Sequence, residues 1–264
     1  HKQPQHSIGY TDGSVTVTVD VTAPGEASSF PLVVDNTNND ANLDQNETIT
    51  ITFNEAVDVD SLVLGGQFVS DALNAADEAK LGSGYSVAKV GSSSTATAFT
   101  ITLGSSNGFT DVANLSSAAR TLTFNKGVIV DAAGNPASSH AAFVMATDII
   151  KAAASSTTHI STDVTATDAY ATGETIRIVF NEQVDTSKVI MSNLTSTGTL
   201  GNSTISAVSE SGGYATTFDI TVGSTATLAS GNTITISSAN AVDTSGNTGL
   251  GSEISITLPG TTTL

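Results

Sequence analysis

The chain has 264 residues, of which 25 are acidic and only 8 are lysine or arginine, and it contains no cysteine. The formal net charge of −17 argues against binding to nucleic acid or to anionic membrane surfaces, because both need clustered lysine and arginine. The lack of cysteine excludes disulfides and thiolate metal sites. No stretch approaches the roughly 20 apolar residues of a spanning helix, so no membrane insertion is predicted.

Residues 1–24 are predicted to form an arm. Within it, Ser14–Thr22 alternates between valine and polar residues without a break, which predicts a strand that ends before Pro24 and Gly25. Three interpretations of this strand are open. It folds back onto the following module, it is the last strand of a deleted upstream module, or it adds to a sheet of the next subunit. The third would make a head-to-tail homopolymer. The predicted assembly residues share one face of the strand: Val15, Val17, Val19 and Val21.

The first module is predicted to span residues 25–150. Its only predicted helix is Ser70–Leu81, with Asp71 as the N-terminal cap. The other segments are rich in valine, isoleucine and threonine, which favour strands. These predicted strands are Phe30–Val34, Thr48–Phe53, Tyr85–Val90, Thr97–Leu103, Thr121–Val130 and Ala141–Ile149.

The second module is predicted to span residues 151–264. It opens with Lys151–Thr158, whose small residues predict a linker. Its predicted strands are Thr175–Phe180, Ile205–Val208, Thr217–Val222, Thr233–Ile236 and Ile254–Leu258. The number and spacing of the strands predict an all-β protein of two tandem Ig-like β-sandwiches, preceded by an extra N-terminal strand.

Two pairs of matching segments indicate that the modules arose by duplication. Glu47–Asp58 (ETITITFNEAVD) returns as Glu174–Asp185 (ETIRIVFNEQVD), and Val130–Asn135 (VDAAGN) returns as Val242–Asn247 (VDTSGN). Two separated matches in the same order are not a chance motif. The second pair of matching segments is separated by fewer residues than the first pair. The first module is therefore the longer one and carries insertions, which are expected in surface loops.

These motifs also resemble those of the bacterial Ig-like repeats found in S-layer proteins and large repetitive surface adhesins. The residues that carry the resemblance are Thr50–Asp58 with Val130–Asn135, and Ile178–Asp185 with Val242–Asn247. The resemblance covers both modules and implies secreted, surface-attached rods, often stabilised by calcium. In such an array the segment TVTVDVTAP would be the last strand of a preceding module.

Two sets of acidic residues are candidate ligands for Ca²⁺, which takes six to eight oxygen atoms. One lies in the loop Asp35–Asp44. The other follows from topology, because the loops after Phe53 and after Val130 meet at one pole of an antiparallel sandwich. The alternative is that these residues only cap turns. The predicted ligands are Asp35, Asp40, Asp44, Glu55, Asp58, Asp131, Glu182, Asp185 and Asp243. Since acidic poles of the two modules should face each other, a calcium-stiffened junction is predicted.

No catalytic motif occurs, and the four histidines lack metal-ligand spacing, so no enzyme activity is predicted. The first residue is His1, as expected for a mature secreted chain or for an excised segment. The predicted function is that of an extracellular or cell-surface structural protein, which self-assembles into a filament or surface layer by β-strand addition between subunits and is stabilised by calcium. The alternative is a stalk fragment of a repetitive adhesin that binds a glycan or protein ligand.

Overall fold

The computed structural model describes residues 20–160 and 168–260. Within these ranges the regular structure is mostly antiparallel β-sheet, which confirms the predicted all-β class. None of the helices in the described ranges has the length and apolar character needed to cross a membrane.

The first half of the described chain, residues 26–150, is called module one. Its strands are β1 Leu32–Asp35, β2 Thr48–Asp58, β3 Val63–Leu64, β4 Gln67–Phe68, β5 Ser86–Lys89, β6 Thr95–Thr102, β7 Thr121–Phe124 and β8 Ala141–Val144. Four of them form a sheet in the order β1-β2-β6-β5, while β7 pairs with β8 and β3 pairs with β4. Two short α-helices, α1 Val59–Leu62 and α2 Ala75–Ala79, and the 3-10 turn Val112–Asn114 lie in the connections.

Module two has the same plan with fewer connecting elements. Its strands are β9 Ala154–His159, β10 Thr175–Asp185, β11 Leu194–Ser196, β12 Thr204–Val208, β13 Tyr214–Thr221, β14 Thr233–Ser237 and β15 Glu253–Thr257. The sheet order β12-β13-β10-β9 matches the four-stranded sheet of module one, and β11-β14-β15 forms the second sheet. Two 3-10 turns, Met191–Asn193 and Ser238–Asn240, complete it.

Each module has a hydrophobic core of its own. Alternating residues of the strands point inward, as the burial pattern of β2 shows, and this is the period expected of a sheet with one buried face. In module one the rings of Phe53, Phe124 and Phe143 pack edge to face, with centroids 5.2–6.4 Å apart. In module two Phe180 packs on Phe218 in the same manner. The first core includes residues from Leu32 to Ile149, and the second includes residues from Ala152 to Leu258.

Several predicted elements have different bounds in the structure. The predicted strand Thr121–Val130 ends at Phe124, because Val128 N donates to the carbonyl of Asn125 and closes a turn. The predicted helix Ser70–Leu81 is reduced to α2. Asp71 was the wrong cap: it has φ 64°, whereas Asn74 Oδ1 accepts a hydrogen bond from Asp77 N at 2.8 Å and caps the helix.

The predicted linker Lys151–Thr158 is also wrong. Ala154–His159 is β9, the first strand of module two, and it pairs with β10 through Thr157 opposite Ile178. Ala152 is fully buried in the second core. The segment is rich in small and hydroxylated residues, a composition that is typical of linkers. Here, however, its backbone N–H and C=O groups pair with those of β10, and backbone groups inside a fold need such partners. The connection between the modules is therefore only a few residues long.

The predicted N-terminal strand falls mostly outside the described residues, as do Val15, Val17 and Val19. Of its described part, Asp20–Thr22 is not assigned to a strand, and the side chain of Val21 is 82% exposed. The segment that follows is held by module one, since Gly25 N donates to Asn54 Oδ1 at 2.7 Å.

Polar contacts tie the connection between the modules to both of them. Lys151 N donates to Asn39 Oδ1 at 2.6 Å, and Lys151 Nζ pairs with the carboxylate of Asp35 at the end of β1. From module two, Asn247 Nδ2 donates to the carbonyl of Asp148 at 3.1 Å. These contacts fix the backbone of residues 148–151 from both sides.

An aromatic side chain of module one also packs against module two at this junction. The ring of Phe30 lies against Gly246, so that a β-carbon at position 246 would come within 2.4 Å of Phe30 Cδ1. Gly246 has φ 87°, in the left-handed region that favours glycine. Its counterpart in module one, Gly134, has the same φ of 87°, but no atom of the described part of the chain lies within 4 Å of the place where its β-carbon would be.

This pair of glycines gives a matched prediction. Gly134→Ala is expected to cost about 1 kcal/mol, which is the strain of a left-handed alanine. Gly246→Ala should cost about 2–4 kcal/mol, because it adds a collision with Phe30 to the same strain. Thermal unfolding followed by circular dichroism measures both. Equal losses would mean that Phe30 does not hold the junction.

Candidate functional site

The long strands β2 and β10 each carry a glutamate within a bulge. The pairing of β2 with β6 loses its register between Thr52 and Val57, and the pairing of β10 with β13 loses it at the equivalent place. Extra residues in one strand of a pair bend it and redirect its side chains. Glu55 and Glu182 lie in these two bulges, at the pole where the chain enters each module, which we call the front pole.

An aspartate at the same pole is held rigidly by the turn that follows it. In module one, Asp131 Oδ1 accepts hydrogen bonds from the backbone N of Ala133 and of Asn135, both at 2.8 Å. Its Oδ2 accepts from Asn135 Nδ2 at 2.7 Å. The isolated bridge between Val57 and Asp131 joins this turn to the end of β2. The motif VDAAGN therefore places one carboxylate beside the bulge.

Module two repeats this arrangement. Asp243 Oδ1 accepts from the backbone N of Ser245 at 2.7 Å and of Asn247 at 2.9 Å, and its Oδ2 accepts from Asn247 Nδ2 at 2.7 Å. The bridge between Val184 and Asp243 corresponds to the one in module one. Both aspartates are buried, with Asp131 4% and Asp243 0% exposed, but the turns differ, since Gly134 is exposed whereas Gly246 is buried and Asn247 is 2% exposed.

A third carboxylate comes from the segment that leads into each module. The carbonyl of Asp20 accepts from Asn135 Nδ2 at 3.0 Å, just as that of Asp148 accepts from Asn247 Nδ2. This shared bond brings the two aspartates to equivalent places. Two groups of three carboxylates result, in each of which one oxygen per residue lies within 4.8 Å of the others. The groups are Asp20, Glu55 and Asp131 at the front of module one, and Asp148, Glu182 and Asp243 at the front of module two.

The carboxylates of the module-two group repel one another in a buried setting. Burial, followed by the charges of Asp243 and Asp148, raises the pKa of Glu182 to about 8. Burial also raises the pKa of Asp243, with a contribution from the charge of Asp148, although hydrogen bonds from Asn247 and Ser245 oppose the rise. Without a cation this group is therefore stabilised by taking up a proton.

The module-one group shows a weaker form of the same effect. Burial and then the charges of Asp20 and Asp131 raise the pKa of Glu55. Burial tends to raise the pKa of Asp131, but the hydrogen bonds from Asn135, Ala133 and Gly134 outweigh this effect and lower the pKa. This aspartate is thus held in its charged form.

One oxygen in each group is buried without a partner. Glu55 Oε1 and Glu182 Oε1 are shielded from water, and neither has a hydrogen-bond partner within residues 20–160 and 168–260. A buried carboxylate oxygen normally has a partner, because leaving it without one costs free energy. A bound cation would supply that partner at both glutamates, so the residues at the two front poles fit an ion that prefers oxygen ligands.

Five of the predicted ligands lie outside these groups, and two of them, Asp58 and Asp185, come directly after the bulges. Asp58 Oδ1 accepts from Asp60 N at 3.1 Å and caps α1. Asp185 Oδ1 accepts from the backbone N of Ser187 at 2.9 Å and from its hydroxyl at 2.7 Å. Both carboxylates cap the turns in which they lie. This agrees with the alternative interpretation of the sequence, in which such acids only cap turns.

We therefore expect Asp185→Ala to lower the free energy of unfolding by only about 1 kcal/mol, the usual cost of a lost cap. If a cation binds the cluster beside Glu182, the thermal shift that it produces should be the same as in the wild type, because Asp185 lies outside that cluster. Differential scanning calorimetry with calcium and with chelator measures both quantities. A lost calcium response would place Asp185 among the ligands.

The loop Asp35–Asp44 gathers its acids around polar partners of its own. Asn38 Nδ2 donates to Asp44 Oδ2 at 2.8 Å and to Asp40 Oδ2 at 3.1 Å. Among the described residues, none of the loop's acids belongs to a group of three close carboxylates. Asp35 lies apart and pairs with Lys151 at the junction.

A glutamate that the sequence prediction did not include organises this loop. Glu47 is 3% exposed, and its Oε1 accepts from Thr37 N at 2.6 Å while its Oε2 accepts from Asp44 N at 2.8 Å. Glu174, its counterpart in module two, is 2% exposed and accepts from Ala171 N. Each of these glutamates is the first residue of the duplicated segment. This shared position in the sequence was the signal from which their common role could have been predicted.

Asp20 and Asp148 were likewise not predicted as ligands. Their nearly equal spacing ahead of the duplicated segments, 27 residues to Glu47 and 26 residues to Glu174, could have revealed them. The fold and the site together define an all-β protein with a duplicated module and a duplicated acidic site at each front pole. Neither protein-family models nor curated proteins give a match to this chain.

Proposed function

We propose that this protein is an extracellular structural protein whose Ig-like modules form a rod stiffened by calcium at the module junction, and that it assembles into a filament or surface layer. The observation that carries the proposal is the three-carboxylate group at each front pole, to which the preceding segment contributes one aspartate. A cation held by Asp148, Glu182 and Asp243 would join the connecting segment to module two.

Calcium is the cation that fits this arrangement best. It takes six to eight oxygen ligands in flexible geometry, whereas Mg²⁺ demands a near-ideal octahedron and keeps most of its waters. Three carboxylates can supply up to six oxygens, and water would complete the shell. The pole is anionic, so a divalent ion would also relieve the repulsion that raises the pKa of Glu182.

The resemblance to the Ig-like repeats of S-layer proteins and surface adhesins supports an extracellular location. Strand addition by residues 14–22 is the proposed mode of assembly. Within the described residues each module already has its last strand in place, since β8 pairs with β7 and β15 pairs with β14. The added strand would therefore extend a free edge, such as β5 or β12, rather than fill a gap.

Electron microscopy of the purified chain tests the proposal. The full chain, with calcium and with chelator, is compared with a variant that lacks residues 1–19, in which Asp20 is retained. Filaments or sheets that need both the arm and calcium are the expected result. Monodisperse rods in every condition would overturn self-assembly and favour the adhesin stalk. Filaments unaffected by chelator would remove calcium from the proposal.

A further inference from the structure

The four-stranded sheets of the two modules end in equivalent edge strands, β5 in module one and β12 in module two. Val87 on β5 corresponds to Ile205 on β12, because each of them lies opposite the equivalent isoleucine of the neighbouring strand. Two positions further on, Lys89 corresponds to Ala207, since each of these lies opposite a phenylalanine. The two edges can therefore be compared residue by residue.

A hairpin covers the edge of β5. Val87 N donates to the carbonyl of Gly66, in the turn between β3 and β4, at 2.7 Å. On the same edge Gln67 Nε2 donates to the carbonyl of Tyr85 at 3.3 Å. The side chain of Val87 is only 5% exposed. The hairpin thus occupies the outward backbone groups of β5, and Lys89 adds a charge, which also discourages pairing with another strand.

The edge of β12 has no such cover in the described part of the chain. Val222 N donates to the carbonyl of Glu174, so every second residue of β13 bonds to β10 and the residues between them bond to β12. By this alternation the N–H and C=O groups of Ile205 and Ala207 point away from β13. Within residues 20–160 and 168–260 no backbone group pairs with them. Their side chains pack on the second core but are only partly buried.

The path of the chain explains this difference. In module one the connection from β2 to β5 contains the hairpin β3–β4, whereas in module two the connection from β10 to β12 contains β11, which pairs with β14 in the other sheet. The sequence of β12, TISAV, has neither a charged residue nor a proline. Natural proteins commonly protect an edge strand by one of these means, so β12 is an unprotected edge.

Ser14–Val19 has the pattern that fits this edge. In its sequence, SVTVTV, valine alternates with a hydroxylated residue. As a strand beside β12, it would place two valines next to Ile205 and Ala207 on the core face, and a threonine next to Ser206 on the outer face. Its six residues are enough to cover the five residues of β12.

The same segment is too short to reach β12 of its own copy. Asp20 is held at the front pole of module one, where its carbonyl accepts from Asn135 Nδ2 at 3.0 Å. Module two lies beyond the opposite pole, and the 11 residues of β2, which run between the two poles, span about 35 Å. Six residues reach at most about 22 Å when fully extended. The occupant that fits is therefore a second copy of the chain.

We infer that Ser14–Val19 of one copy adds as a strand to the β12 edge of a second copy, while β5 stays closed by its hairpin. Backbone hydrogen bonds to Ile205 and Ala207 hold the added strand, and its valines complete the cover of the second core. The front of each copy is thus bound to module two of the next, and the contact repeats along a filament. This inference rests on the self-assembly part of the proposed function.

Proline tests the edge, because it removes one backbone N–H. At position 207 this group points outward, so Ala207→Pro keeps the bonds to β13 and should abolish sedimentable assemblies. Lys89→Pro is the matched control on β5 and should assemble as the wild type does. Ala207→Lys is a second variant, which adds a charge to the edge and keeps the N–H. Circular dichroism checks that each variant is folded. Assembly that survives both changes at position 207 would overturn the inference.

Amide hydrogen exchange of the unaltered full chain locates the contact directly. In dilute monomer the amides of Ile205 and Ala207 should exchange fast, whereas the amide of Val87 is protected by its bond to Gly66. In assembled protein we expect exchange at positions 205 and 207 to slow at least tenfold. Protection that does not depend on protein concentration would overturn the second copy as the occupant.

The outcomes separate this inference from the proposed function. Filaments in which Ile205 and Ala207 still exchange fast would overturn the β12 edge and leave self-assembly standing. A chain that never assembles, with or without calcium, would overturn the proposed function. A synthetic peptide of residues 13–20, added in excess to the full chain, then decides about the edge. Protection of the two amides by this peptide, and not by one with the same residues in a non-alternating order, would support the inference, and no protection would overturn it.

Discussion

Replacing Asp243 by alanine is expected to lower the free energy of unfolding of module two by about 3 kcal/mol, as the loss of a buried charge-assisted hydrogen-bond network requires. Asp243 is fully buried and accepts three hydrogen bonds within its own turn. Alanine would leave the backbone N–H groups of Ser245 and Asn247 without an acceptor inside the junction. The same substitution removes the central carboxylate of the proposed cation site, so the response of module two to calcium should disappear.

Asp131→Ala is the matched control. The same hydrogen bonds are lost and Asp131 is also buried, at 4% exposure, but Ala133 and Gly134 of its turn are exposed, so water can reach the place of the missing acceptor. A smaller cost of about 1 kcal/mol is expected, confined to module one. Urea unfolding followed by circular dichroism gives both values. If the two variants lost the same stability, burial of the junction would not be the source of the effect.

Removal of calcium is expected to reverse the way in which stability depends on pH. In chelator, the folded state holds a proton on Glu182 up to a pKa of about 8, whereas the unfolded chain releases it near the ordinary value of 4.5. Because the folded state binds more protons between these values, this contribution is complete below pH 4.5 and is lost as the pH rises through 8. The loss should amount to about 1–2 kcal/mol, after allowance for the solvent screening of a half-exposed group.

The proposed calcium ion would compete with that proton. At a free concentration 100 times its dissociation constant a ligand adds about 2.7 kcal/mol of stability, which for a chain of this size raises the melting temperature by about 5–10 °C. This gain should be largest at pH 8–9, where no proton must leave Glu182. Scanning calorimetry between pH 5.5 and 9, with calcium and with chelator, measures the effect.

Glu182→Gln distinguishes this explanation from a general effect of charge. Glutamine imitates the protonated glutamate, so the variant in chelator should be as stable at pH 9 as at pH 6, and its calcium response should be greatly reduced. Glu210→Gln removes an equal charge from an exposed site and should behave as the wild type. A Glu182→Gln variant that kept the pH dependence of the wild type would show that the titrating group lies elsewhere.

Local sequence patterns were sufficient to predict the strands that alternate strongly. The isoleucines of β2 and β10 repeat every second residue, which is the period of a strand with one buried face. The sequence pattern did not predict the strand bounds where hydrogen-bond partners elsewhere in the chain determine whether a segment forms a strand. Thr121–Val130 contains enough β-branched residues for a long strand, yet a turn at Asn125 ends it. Ala154–His159 has little pattern of its own and becomes a strand because β10 offers it a free edge.

The candidate site shows the same division. The duplicated motifs were enough to select Glu55, Asp131, Glu182 and Asp243 and to predict that each pair shares a pole. They also selected Asp58 and Asp185, which differ from the other acids only in the direction that the backbone gives their side chains. The type of residue does not reveal the direction of its side chain, because aspartate uses the same carboxylate oxygens to cap turns and to bind cations.

By itself the sequence determined the all-β class, the duplication and the acidic front poles, because strand periodicity and repeated motifs are local properties of the chain. Tertiary structure decided what contacts those poles. It brought Asp148 from the end of module one to the site of module two and buried Gly246 beneath Phe30. Such contacts join residues as far as 216 positions apart, from Phe30 to Gly246, so they depend on how whole modules pack and are not encoded in any single stretch of the chain.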